Sequence, residues 1–205
     1  MGGIYAFSEL IPAIDPSAFV HPDAIVIGDV IVGAGVYVAP GASLRGDMGR
    51  IVVGPGANIQ DHCVLHSFPG RDCLVGADGH IGHGAILHGC RIGTNALVGM
   101  NAVVMDGADV GDGAFVGAMS FVRAGFSVPP GTLALGTPAR VSRTLTPDEL
   151  AWKARATAAY QELARACRSG LRRCEPLAAP EPDRPRTPPL DGIRPKHELN
   201  RLDHR

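Results

Sequence analysis

Eight histidines occur in this 205-residue chain, and five of them, His62, His66, His80, His83 and His88, fall between positions 62 and 88. Imidazole is the commonest metal ligand in proteins, and its proton is the one most readily exchanged near neutral pH. Which of the five can act together depends on the path of the chain. An aliphatic residue recurs every sixth position, often followed by glycine, through Val32, Val38 and Leu44. After a slip of three the phase resumes at Val53, Ile59 and Leu65, and after a slip of four at Val75, Ile81 and Leu87. One step is then short by one residue, and Ile92, Val98, Val104, Val110, Val116 and Val122 follow.

Neither the period of a strand nor that of a helix explains a unit of six. It suits a triangular parallel β-helix, in which each hexad forms one short face and three faces make a coil of 18 residues. The aliphatic residue points inward and stacks on its copy one coil later, and small residues and glycines serve the corners. On this register His66 and His88 occupy the same slot of their hexads. Their separation of 22 residues is one coil plus the slip of four, so they stack about 4.8 Å apart on one face. Arg45 extends the ladder one coil earlier. His83 belongs to the hexad of Ile81, one face back, and can meet the pair only from another chain.

The spacing therefore predicts a homotrimer of prisms with three intersubunit sites, each formed by His66, His83 and His88. Three imidazoles with an open fourth position suit catalytic zinc (Zn2+), or Fe2+ or Co2+ in its place, and a bound water whose pKa falls to about 7. The alternative is a row of histidines hydrogen-bonded along a polar face. Gln60, one face before His66, is the candidate for orienting the nucleophile. Arg45 and Asp47 of the LRGD run, with Asp61 and Arg50, read as a buried ion-pair set at a subunit contact, either catalytic or purely structural. His62 and His80 read as surface or supporting groups, Cys90 as a corner or core residue, and the Asp-Gly pairs at 106–107 and 112–113 as corner chemistry.

The elements that must hold these residues agree with the composition. Glycine (27) and proline (17) make up about a fifth of the chain, and only 10 residues are aromatic although 45% are hydrophobic. A core of small and β-branched side chains suits a β-helix and disfavours a helix bundle. The net charge of -1 advertises no nucleic-acid partner, although residues 1–145 carry -4 and residues 146–205 carry +3. The sequence contains no apolar run of membrane-spanning length and no basic leader, and its five cysteines form no CxxC; a reduced, cytoplasmic setting without a membrane partner is expected.

Three segments are expected: a β-helix over 1–140, a helix over 146–170 and a Pro-rich extended tail over 175–205. The β-helix ends near Val128, and GTPAR (136–140) reads as a connector. Thr146-Pro147-Asp148-Glu149 is a helix start with an N-cap Thr, Pro at the first position and Glu in the capping-box place. Leu150, Ala154, Ala158 and Leu163 form the expected apolar stripe of that helix, and its basic residues, Lys153 among them, face either CoA phosphates or solvent.

LRGD (44–47), ANIQD (57–61), the LH at 65–66, GHIGHGAILHGC (79–90) and LVGMNAVVMDGA (97–108) resemble the γ-class carbonic anhydrase-like hexapeptide-repeat family over roughly residues 10–140. Within it the chain is similar to the phenylacetic acid degradation branch, with the carnitine-operon branch a near relation. The resemblance implies a left-handed coil, a trimer, a metal on His66 and His88 of one subunit with His83 of the next, and roles beside it for Arg45, Asp47 and Gln60. The glutamates that shuttle protons in the archaeal prototype have no counterpart at Met48 or in Ser67–Asp72, which argues against fast CO2 hydration. Three functions follow as expectations: a carbonic anhydrase acting on CO2 and bicarbonate, an acyl-CoA thioesterase of phenylacetate breakdown, and a non-catalytic scaffold or regulatory trimer.

Overall fold

The computed structural model describes residues 3–187. The chain winds as a parallel β-solenoid of about seven turns, and short strands from successive coils stack in register into two sheets of 12 and 8 strands. The larger sheet covers two faces of the prism, because strands Ile25–Val32 and Ser43–Val53 run on from one face to the next. The smaller sheet forms the third face, where Phe19, Tyr37, Asn58, His80, Leu97, Phe115 and Leu133 lie in one row.

The six-residue period is what the core needs. Leu44, Leu65, Leu87, Val104 and Val122 pair coil over coil, and all five are fully buried. Each such side chain contributes about 1.5–3 kcal/mol by leaving water. Glycines following the inward residue have a different task from the one expected. Gly76 has no left-handed backbone; a Cβ there would lie 2.7 Å from the Thr94 amide nitrogen, so the close approach of the next coil excludes any side chain. The corners proper use other residues, such as Gly84 with φ +71° and Asn95 with φ 56°.

The solenoid extends beyond Val128. Strand Thr132–Gly136 continues the small sheet in parallel with Phe115–Val116, then turns through the cis Thr137–Pro138 bond into the antiparallel strand Ala139–Thr144. GTPAR is therefore a hairpin turn, not a connector. Helix α1 (Pro147–Gly170) starts with Thr146 and Glu149 in a complete capping box. Its buried side chains are Glu149, Lys153, Thr157 and Ala164. Ala154, Ala158 and Leu163 are exposed, so the expected apolar stripe is not the face that docks. The docking face is mixed: Ala164 and Tyr160 pack with Phe19 and Tyr37, while Lys153 and Thr157 settle on the Asp78 carbonyl, Asn95 and His80. Residues 171–187 are exposed and without helix or strand; the rest of the expected tail, from 188, lies outside the described residues.

Candidate functional site

The ladder expected for His66 and His88 is present: the two residues are register partners on adjacent parallel strands, Val64–His66 and Ile86–His88. Their rings face each other with 3.2 Å between His66 Nδ1 and His88 Nε2. Each ring is held from behind by a carboxylate, His66 Nε2 by Asp47 at 3.1 Å and His88 Nδ1 by Asp106 at 2.7 Å. Arg45 closes the chain by donating from Nη1 to both oxygens of Asp47 at 3.0 Å. Burial pushes the Asp47 carboxyl up, but the hydrogen bonds from Arg45 and His66 outweigh it and hold the group below its ordinary range. Phe68, in the four-residue insertion after this coil, sets its ring edge-on to His88 with centroids 5.0 Å apart.

A proton count follows from this geometry. A carboxylate only accepts, so the His66 nitrogen facing Asp47 and the His88 nitrogen facing Asp106 carry the hydrogens of the neutral rings. The two facing nitrogens, 3.2 Å apart, are the rings' remaining positions, with donor and acceptor roles set by the tautomers. Asp106, which its Asp-Gly setting marked as corner chemistry, is part of this arrangement; nothing local in the sequence distinguishes it from Asp112.

Gln60 and His83 lie on the small sheet, away from this pair. Gln60 is buried, donates to Asn58 Oδ1 at 2.9 Å, lies 2.8 Å from His80 Nε2, and accepts from the His83 amide at 3.2 Å. His83 Nδ1 is 2.7 Å from Asp61, and its Nε2 is 3.5 Å from the Tyr160 hydroxyl of α1. Of the two roles expected for His80, surface or supporting, it takes the second, beside Gln60: burial, with the Lys153 charge second, pushes it down to about 3, so it is neutral. Lys153 itself is fully buried and donates to the Asp78 carbonyl and to Asn95 Oδ1 at 2.7 Å, so it faces neither solvent nor a ligand phosphate. The expected buried ion-pair set is instead dispersed: Arg45 with Asp47, Arg50 with Asp29 at 3.0 Å, and Asp61 with His83, with both arginines about half exposed. His62 is exposed, and Cys90 fills the core.

The expected zinc, iron or cobalt is corrected by this placement. Among the described residues no group of three or more His, Cys, Asp or Glu side chains is arranged to hold a metal ion. Within one chain two imidazoles meet and His83 lies on another face beside Asp61, so the described residues offer a metal two of the three expected ligands at one place. The metal-hydroxide route to CO2 hydration is left without support by the described residues. The described cysteines are all free thiols, and no described helix is long and apolar enough to cross a membrane.

Comparison with known proteins places this geometry. The family described as bacterial transferase hexapeptide (six repeats) matches residues 89–124. The carnitine operon protein CaiE of Escherichia fergusonii is 56% identical over 194 residues, 95% of this chain and 99% of that one. The CaiE protein of Shigella flexneri is likewise 56% identical over 192 residues, 94% and 98% of the two chains. Among solved structures, a candidate acetyltransferase of Bacillus cereus matches with TM-score 0.80 and 38% identity over 81% of this chain and 96% of that one. A hexapeptide transferase family protein of Anaplasma phagocytophilum matches with TM-score 0.77 and 37% identity over 80% and 96%. These relatives carry the carnitine-operon name, not that of the phenylacetate branch or of a carbonic anhydrase. The chain belongs to the family of the carnitine operon protein CaiE, built on bacterial transferase hexapeptide repeats.

Proposed function

We propose that the protein acts on CoA thioesters, with the His66–His88 pair serving as the base that activates an oxygen nucleophile. The observation that carries this reading is the anchoring of both rings by Asp47 and Asp106, which leaves the two facing nitrogens as the positions open to a substrate proton. An O–H brought beside the pair, from water or from an acceptor alcohol, gives its proton to one of the facing nitrogens. The new C–O bond forms at the acyl carbonyl, the C–S bond breaks, and the proton returns to the leaving thiolate. Positioned general-base catalysis of this kind contributes about 10²–10⁴-fold. The acetyltransferase description of the B. cereus neighbour supports acyl-CoA as the substrate class, and the relatives' carnitine-operon name makes carnitine the first acceptor to try.

The homotrimer remains part of this reading. One chain carries the pair on the large sheet and His83, Gln60 and Tyr160 around the small one; prisms packed about a threefold axis would join the two sets. The test is thiol release from acetyl-CoA, with and without carnitine, for the wild type and His88→Ala. Release abolished in His88→Ala supports the reading. Activity unaltered by that substitution rejects the pair as the base, and no release from any CoA thioester would leave the scaffold function as the better one.

A further inference from the structure

Between the small sheet and α1 lies a cavity whose apolar part has no role in the chemistry above. It has a volume of about 420 Å³ and is walled on one side by Leu97, Phe115 and Leu133 of the outward row, on the other by Trp152, Ala156 and Tyr160 of α1. The three helical residues are spaced by four, so they share one face, and the methyl of Ala156 leaves a notch between two aromatic side chains. No carboxylate, lysine or arginine lines the cavity. Its polar groups gather at one end, where Gln60 bonds His80 and the His83 amide and the Tyr160 hydroxyl lies 3.5 Å from His83 Nε2. Burial pushes the Tyr160 phenol up to about 12, so it remains a donor at neutral pH.

We infer that this cavity binds the aliphatic part of a medium-length acyl group, its carbonyl or carboxylate end taken by the Tyr160 hydroxyl. An uncharged apolar wall with a hydroxyl donor at one end matches an acyl chain that ends in an acceptor oxygen. The volume falls within the range of small-molecule sites, about 300–1,000 Å³. Each methylene that leaves water in the notch contributes about 0.8 kcal/mol, so affinity rises with chain length until the notch is full. The inference rests on acyl-CoA as the substrate class only for its biological use; occupancy of the cavity is measurable without turnover.

Trp152 is the sole tryptophan of the chain, so its emission reports on this cavity. The full-length protein is titrated with acetate, butyrate and octanoate, and thiol release is followed in parallel with the matching CoA thioesters. The expected result is a saturable change in Trp152 emission with octanoate, weaker with butyrate and absent with acetate. Ala156→Phe should reduce octanoate affinity about tenfold or more while far-ultraviolet circular dichroism stays unchanged. Leu97→Phe, filling the opposite wall, serves if Ala156→Phe does not fold. A wild-type titration without a saturable response, or an equal response in the filled variants, overturns the inference. Emission that responds to protein dilution and not to octanoate would also overturn it and assign the cavity to a neighbouring copy. Octanoate binding without thiol release leaves the cavity standing and rejects the reaction; thiol release without octanoate binding does the reverse.

Discussion

His66 and His88 face each other across 3.2 Å, each ring fixed from behind by its own carboxylate. Both supporting residues come from neighbouring coils or strand turns, so the stacking that builds the solenoid also sets the tautomers. Replacing Asp106 by Asn keeps the shape but offers His88 an amide in place of an acceptor-only carboxylate. CoA-thioester turnover should fall by about 10- to 10³-fold, with circular dichroism unchanged. Nitrogen-15 spectra of the imidazoles check the cause: the proton should leave His88 Nδ1 in the variant. An unshifted tautomer would show that Asp106 does not set it.

Lys153 makes stability depend on alkaline pH. Burial lowers its pKa from 10.5 to about 8 in the folded protein, so between these values the unfolded chain binds more protons and stability rises with pH. The total gain is about 3 kcal/mol. The raised Cys63, Tyr37 and Tyr160 groups act in the opposite direction over the same range. Urea unfolding at pH 7 and pH 10.5 should therefore show the increase as a difference: the wild type gains about 3 kcal/mol relative to Lys153→Met between the two pH values.

His80 acts on the acid side. Its folded pKa of about 3 lies below the ordinary 6.5, so its contribution is present above pH 6.5 and is lost as pH falls toward 3. The loss amounts to about 4–5 kcal/mol if no other group compensates. His80→Gln should flatten the acid limb of a stability–pH curve measured by denaturant unfolding. An acid limb of equal steepness in the variant would place the sensitivity elsewhere.

Two glycines separate the demands of the coil. Gly76→Ala puts a methyl 2.7 Å from the next coil's backbone, whereas a methyl on Gly35, with φ +65°, would meet nothing within 4 Å. Thermal unfolding should show Gly76→Ala destabilised by more than about 2 kcal/mol, through overpacking. Gly35→Ala should lose only about 1 kcal/mol, the cost of left-handed backbone.

The repeat makes most of the solenoid legible, because a six-residue period holds its phase through insertions that merely lengthen a corner. That is why spacing alone stacks Leu65 on Leu87, and with them His66 on His88. Helix α1 hides its docking face for a physical reason. An amphipathic pattern reports burial against an apolar surface, but here Lys153 and Thr157 settle on the Asp78 carbonyl, Asn95 and His80. Tyr160 meets His83 across 77 positions of sequence, a contact no local spacing reveals. The zinc expectation is not met within the chain, where no group of three such side chains forms among the described residues; Asp47 and Asp106, which back the two imidazoles, carry no local signal that marks them as partners.

The central claim is tested most directly by thiol release from acetyl-CoA, with and without carnitine, in the wild type and in His66→Ala and His88→Ala. Release in the wild type that drops about 10²-fold or more in both variants is the predicted result; release of equal rate in all three proteins would contradict it.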